Sequence, residues 1–356
     1  MRPSAAACAA LLVALLLAGC GSGGPGGPSS TSSSSGDGEP AAFDGDAALD
    51  FVKGFALGPD GAPRYRIPGT VGQQQGAAYL WQETAVAGWQ RTWQNLTGED
   101  YAKLDRSAVA SYTSVGGSCT QADHDRVPTL PFHNLLAVRS AGANTPLLLI
   151  GAHWDSQMHS DYDPDPAKRD LPDPGANDGA SGVGLLLQLM RELDASLPHL
   201  PFSVGVLFID GEDGFFDCYP LVGSLAFAQD PPVDVGAFIL LDMVGDPSAK
   251  YPRESYSHDS APGLVDLVWR HGQALDGGVH FINRTVRIQD DHVAFAREGI
   301  PSIDVIDAGR VGTFPPQWDT TGDTVDKLDP AMLALVGDTL LASMADPEMA
   351  TLLGGQ

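Results

Sequence analysis

Apolar residues along this chain follow two rhythms. Unbroken runs at 147–152, 204–209 and 237–241 are apolar on both faces of an extended chain, which predicts strands buried inside a parallel sheet. Residues 302–306 read as a last core strand. Elsewhere apolar residues recur three and four positions apart. Val183, Leu186, Leu187, Met190 and Leu193 predict a helix, as do Leu264, Leu267, Val268 and His271 within 262–275. A short helix is expected at 291–298 and a closing helix at 331–344. Residues 73–93 also have helical spacing, with Ala77, Leu80, Trp81, Thr84 and Ala85 on one face. Runs 134–138 and 147–152 flank Ala141-Gly142-Ala143-Asn144, which predicts an antiparallel hairpin. The polar segment 98–131 is expected to hold a strand at 108–112 and a long loop containing Cys119. No internal repeat is present. The alternation predicts an α/β three-layer sandwich: a mixed, mostly parallel sheet with helices on both faces.

The chemistry lies where the strands stop. Run 204–209 ends in Asp210-Gly211-Glu212-Asp213-Gly214, run 147–152 in His153-Trp154-Asp155, and run 237–241 in Asp242. Asp178 stands just before the helix that carries Val183. In open α/β sheets ligands bind outside the carboxyl ends of the strands. Adjacent acids resist burial there unless a cation or a proton compensates them. Each residue has an ordinary alternative. Asp178 can cap its helix, His153 can be a core histidine, and Asp242 can satisfy loop amides. Their convergence from separate connections favours a metal site with an acid/base beside it. Asp161, Asp163 and Asp165 alternate like calcium-loop ligands, but no glycine or distal glutamate is in register, so a solvated loop is expected.

Composition narrows the partners. The 356 residues are 43% hydrophobic with a formal charge of −25, which excludes nucleic acid as a partner. The apolar run 5–17 is too short to span a bilayer. It ends in Leu17-Ala18-Gly19-Cys20 and resembles a bacterial lipoprotein signal, whose cysteine carries the lipid; the alternative is an ordinary secretory signal. A Gly/Ser/Pro-rich stretch then reads as a flexible stalk. The expected organisation is a signal at 1–20, a linker at 21–42, one catalytic domain at 43–346 and a tail at 347–356. The expected location is the cell envelope, facing the periplasm or the cell surface. After Cys8 and Cys20 are accounted for, Cys119 and Cys218 remain, either as one disulfide or as two separate thiols.

The segments AHWDS, GANDGASGV, DGED, LLDMVGD, IQDDHVAF and FPPQWDTTGDTVDKLD, in that order, resemble the zinc aminopeptidase / glutaminyl cyclase superfamily. The resemblance implies a phosphorylase/hydrolase-like sandwich of the zinc-exopeptidase type. It puts the shared metal aspartate on Asp178, the general acid/base on Glu212 and the next acidic ligand on Asp213. In two-zinc aminopeptidases His153 and Asp242 would hold the second ion. In one-zinc cyclases Asp242 and Asp290 would instead belong to the acid/base network. Gln289, Phe314 and Trp318 match residues of the cyclase substrate pocket, although Trp318 can equally be plain core. The superfamily's last metal histidine is replaced by Asp319, and an all-carboxylate set shifts preference from zinc towards harder ions. The cyclase tryptophan that follows the acidic pair has no match, because Cys218-Tyr219 occupies that region. The expected activity is conversion of N-terminal glutamine of peptides or proteins to pyroglutamate with release of ammonia. The alternatives are a two-metal aminopeptidase and a non-catalytic, surface-tethered binding protein. A monomer touching the membrane only through its lipid is expected.

Overall fold

The computed structural model describes residues 42–105, 107, 125–126, 129–213 and 221–354. Six strands form one sheet in the order β1 (Gln90–Thr97), β2 (Pro131–Arg139), β4 (Ser203–Ile209), β3 (Leu147–His153), β5 (Ala237–Asp242) and β8 (Ser302–Ile306). β4, β3, β5 and β8 run parallel, and β1 and β2 complete the sheet antiparallel. The expected mostly parallel α/β sandwich is therefore the observed fold. β6 (Tyr251–Glu254) and β7 (Phe281–Val286) make a separate parallel pair that the apolar pattern did not reveal.

The two-faced runs do divide their side chains between two cores. Ile150, Val206 and Ile239 enter one cluster, while Leu149, Leu207 and Leu240 enter the other. This is the period-two alternation of strands covered on both sides. Helices α1 (Gly45–Ala56) and α2 (Val71–Glu83) come first. α3 (Ala180–Ser196) joins β3 to β4, and α4 (Val222–Gln229) joins β4 to β5. β3 thus lies between the two strands that follow it, and the crevice at its carboxyl end is the topological switch point. α5 (Ser255–Ser260), α6 (Pro262–Asp276) and α7 (His292–Arg297) lead into β8; α8 (Pro330–Ala345) and α9 (Pro347–Gly354) close the chain.

Three expectations are corrected. Segments 134–138 and 147–152 do not form a hairpin, because β4 sits between β2 and β3, antiparallel to one and parallel to the other. β4 is buried along its whole length and buries more apolar surface inside the sheet than at an edge. The helix expected over 73–93 stops at Glu83, and Gln90–Thr97 is an edge strand. Trp81 at the helix and Trp93 on the edge strand stack on each other, with ring centroids 6.0 Å apart. Residues assigned to a tail form α9, which buries Met349 and Leu353. The strand expected at 108–112, the Cys119–Cys218 pair, Cys20 and the N-terminal signal lie outside the described residues. Among the described residues no helix is long and apolar enough to cross a membrane.

Candidate active site

Strand ends deliver the acidic residues to one place. β3 ends on His153, β5 ends on Asp242, and the turn after β4 carries Glu212 and Asp213. All four side chains are buried, as are Asp178, Asp290 and Asp319. The His153 ring links them. Its Nε2 lies 2.9 Å from Asp178 Oδ1 and 3.4 Å from Asp242 Oδ1, and its Nδ1 is 3.6 Å from Asp155 Oδ1 and 4.0 Å from Asp213 Oδ2. Gly179 permits this approach: a Cβ there would fall 2.3 Å from the His153 carbonyl and 2.7 Å from Nε2. Asp178 does not cap α3; Gly179 occupies the N-cap position without a side-chain hydrogen bond.

Asp155 positions the acidic pair, a role that its place in the sequence did not disclose. Its two carboxylate oxygens accept the backbone N–H of Glu212 (3.1 Å) and of Asp213 (2.9 Å). Asp323 does the same for the turn before α3, accepting from Asn177 and Asp178 N–H at 2.9–3.0 Å. Asn177 Oδ1 in turn accepts Gly245 N–H (2.9 Å), which ties that turn to the end of β5. Arg66, fully buried, donates to the carbonyls of Trp154, Asp155, Pro174 and Gly175, gripping both ligand-bearing loops. Burial pushes its pKa down to about 10, opposed chiefly by Asp155. The only sequence signal for Asp155 and Asp323 was adjacency to His153 and Asp319 in the motif segments.

Two candidate residues hold left-handed backbone conformations beside or at the site: Met243 (φ 51°), next to Asp242, and Asp319 itself (φ 50°). Such conformations are uncommon for residues with a Cβ and cluster at functional sites. Asp319 is brought where the superfamily pattern requires, since ligand atoms of Asp178, Asp213 and Asp319 lie within 4.8 Å of one another. His153, Asp178 and Asp242 form a second such group, and His153, Glu212 and Asp213 a third.

A divalent cation fits this donor set. Burying so many carboxylates without compensation is very unfavourable. Asp213 Oδ2 is buried with no hydrogen bond, as an atom open to an ion would be. Without an ion the site titrates abnormally. Burial, then Asp213 and Asp290, push Glu212 well above the usual carboxylate range, with His153 opposing. Burial and Asp178 raise Asp242 to about 6; burial and Asp242 raise Asp290 to about 7. The His153 pKa is lowered by burial, but hydrogen bonds to Asp155, Asp178 and Asp242 outweigh that and hold it well above its ordinary value.

Behind Asp290 lies a second buried group. His292 Nε2 is 3.1 Å from Glu254 Oε2, and its Nδ1 is 3.6 Å from Asp304 Oδ2. Beside the metal-side group, Trp318 stacks on Tyr162 (centroids 4.6 Å) and leans on Phe314 (4.3 Å). Phe314 and Trp318 are half-buried against Met243, Val286, Ile306 and Ala308. Gln289 is half-buried next to Asp290. Asp163 is buried, its carboxylate accepting Thr321 N–H and Oγ–H, while Asp165 is exposed as expected.

Sheet order, site position and donor set define an α/β sandwich with a buried acidic cluster at its switch point that could hold a metal ion. Residues 134–344 match peptidase family M28, and the chain belongs to that family. It is similar to the mouse (Mus musculus) glutaminyl-peptide cyclotransferase-like protein, 28% identical over 248 residues that cover 61% of each chain. It spans about three fifths of the length of these curated relatives, 61–62%. A Porphyromonas gingivalis glutaminyl cyclase structure superposes with TM-score 0.70 at 30% identity, covering 85% of this chain and 98% of that one. A Zn-dependent exopeptidase from Parabacteroides distasonis superposes equally well, with TM-score 0.70 at 28% identity, covering 86% and 100%. Those relatives and neighbours carry both glutaminyl cyclase and zinc exopeptidase names.

Proposed function

We propose that the protein is a glutaminyl-peptide cyclotransferase acting on peptide or protein N-termini. The observation that carries this reading is Asp290. It is buried, electrostatically tied to both Glu212 and Asp242, and belongs to none of the ion-holding groups among the described residues. Cyclisation needs a proton taken from the α-amine and returned to departing ammonia at the same centre, and a carboxylate network shares that proton. Glu212 takes the proton and later donates it; Asp242 and Asp290 keep it near the reacting atoms. A cation held by Asp178, Asp213 and Asp319 supplies Lewis-acid polarisation of the side-chain amide when bound. With three carboxylates as ligands, the site favours harder divalent ions relative to a histidine-containing zinc site. Phe314 and Trp318 pack along the glutamine side chain, with Gln289 at the pocket edge. The glutaminyl cyclase names of relatives and neighbours support the same reading.

The second reading, an aminopeptidase, is favoured by one observation: His153, Asp178 and Asp242 form an ion-holding group that shares Asp178 with the first. Glu212 would then activate water, and His153 would be an essential ligand. Ammonia release from a Gln-peptide by purified protein that binds one metal, abolished by chelator, is the expected result. Two tightly bound ions, one lost in His153→Ala, with hydrolysis of N-terminal residues, would replace the cyclase reading. We further propose attachment to the cell envelope through Cys20, which labelling with a radioactive fatty acid tests in wild type against Cys20→Ala.

A further inference from the structure

Tyr162 is absent from the machinery described so far, and it is 59% exposed. A lone exposed ring is ordinary at a surface, so its fixed position beside the site is what matters. This one is fixed in place. Its ring stacks on Trp318 at 29° with centroids 4.6 Å apart, and its backbone N–H donates to the Asp319 carbonyl (3.1 Å). The next residue, Asp163, is buried and accepts from Thr321 N–H (3.1 Å) and Thr321 Oγ–H (2.6 Å). The 160–165 loop is thus latched onto the segment that carries Asp319. Phe314, Trp318 and Tyr162 form a run of rings that begins half-buried against the core and ends in solvent.

Trp318 directly precedes Asp319, whose ligand atom shares a 4.8 Å group with Asp178 and Asp213. An extended peptide advances about 3.5 Å per residue, close to the 4.6 Å step from the Trp318 ring to the Tyr162 ring. We propose that Tyr162 forms the subsite for this second substrate residue and selects flat, aromatic side chains there. The inference rests on the reading of the site as one that receives peptide N-termini, but not on which reaction follows. Tyrosine suits the role because it presents a rigid face with few rotamers to fix on binding.

The test measures binding apart from turnover. Calorimetry on Glu212→Gln protein loaded with its metal compares Gln-Phe-amide with Gln-Gly-amide. Aromatic stacking predicts about three- to tenfold tighter binding of the Phe ligand. That ratio should persist in Glu212→Gln/Tyr162→Phe and fall to near one in Glu212→Gln/Tyr162→Ala. Equal binding of the two amides, binding of neither, or a preference that survives Tyr162→Ala overturns the proposal. If the unsubstituted enzyme hydrolyses Leu-amides and releases no ammonia from Gln-peptides, the cyclase reading fails. The same ratios with Leu-Phe-amide and Leu-Gly-amide then decide Tyr162 separately.

Discussion

Two buried acidic groups, one around Asp213 and one around Glu254, are held in different ways. On the β3 and β4 side, Asp155 and Asp323 hold the backbones of Asp213 and Asp178, and Tyr162 N–H holds the Asp319 carbonyl. The supports leave ligand atoms such as Asp213 Oδ2 without a hydrogen bond. On the α7 side, Glu254 is closed off. It accepts from Tyr256 N–H (2.8 Å) and Ser257 N–H (2.7 Å) and meets His292 at 3.1 Å. Burial alone would raise the Glu254 pKa, but His292 and these backbone donors hold it below the ordinary range. None of the ion-holding groups among the described residues includes His292. Residue type therefore does not distinguish an ion site from a structural ion pair. Asp213 Oδ2 is left open, whereas backbone donors and His292 close over the Glu254 carboxylate itself.

Breaking each side should give a different signature. Glu254→Ala leaves His292 facing a buried void and removes two caps of α5. A loss of about 3 kcal/mol in unfolding free energy is expected, with metal content of the folded protein unchanged. Denaturant unfolding and metal analysis check this; loss of metal at intact stability would contradict the contrast. Asp155→Ala should do the reverse, weakening metal affinity roughly ten- to hundredfold by freeing the Glu212–Asp213 turn, as read by chelator competition.

The smallest effect concerns pH. Asp242 and Asp290, raised to about 6 and about 7, bind protons in the folded chain that the unfolded chain has released above pH ~4. The metal-free protein therefore loses stability as pH rises through roughly 4 to 7. A bound cation competes with those protons and flattens the slope. Chelator should lower the Tm more at pH 8 than at pH 5.5, by about 1 kcal/mol of stability difference. An equal drop at both values would mean that protons do not substitute for the ion.

Much of the site was legible because its ligands sit at ends of runs whose pattern was unambiguous. His153, Asp242 and the Glu212–Asp213 turn each follow a strand apolar on both faces, and Asp178 precedes a helix with a clear stripe. Asp319 was legible only through resemblance, since its loop has no periodicity. Asp155, Asp323, Arg66 and Tyr162 were not singled out as site residues. Their roles are contacts across 57 to 145 positions, or exposure at a rim, and neither leaves a local pattern.

The sequence by itself determined the strand runs, the helices with clean stripes, the α/β class and the identities of the acids at the strand ends. These follow from period and polarity, which act over neighbouring residues. Only the tertiary structure decided that β4 lies between β2 and β3, that 90–97 is an edge strand, and that 347–354 is a packed helix. It also decided that Asp155 and Asp323 brace the backbones of Asp213 and Asp178 and that His292 meets Glu254. Those outcomes depend on where whole surfaces find burial and where buried polar atoms find partners, and both are settled between segments distant in the chain.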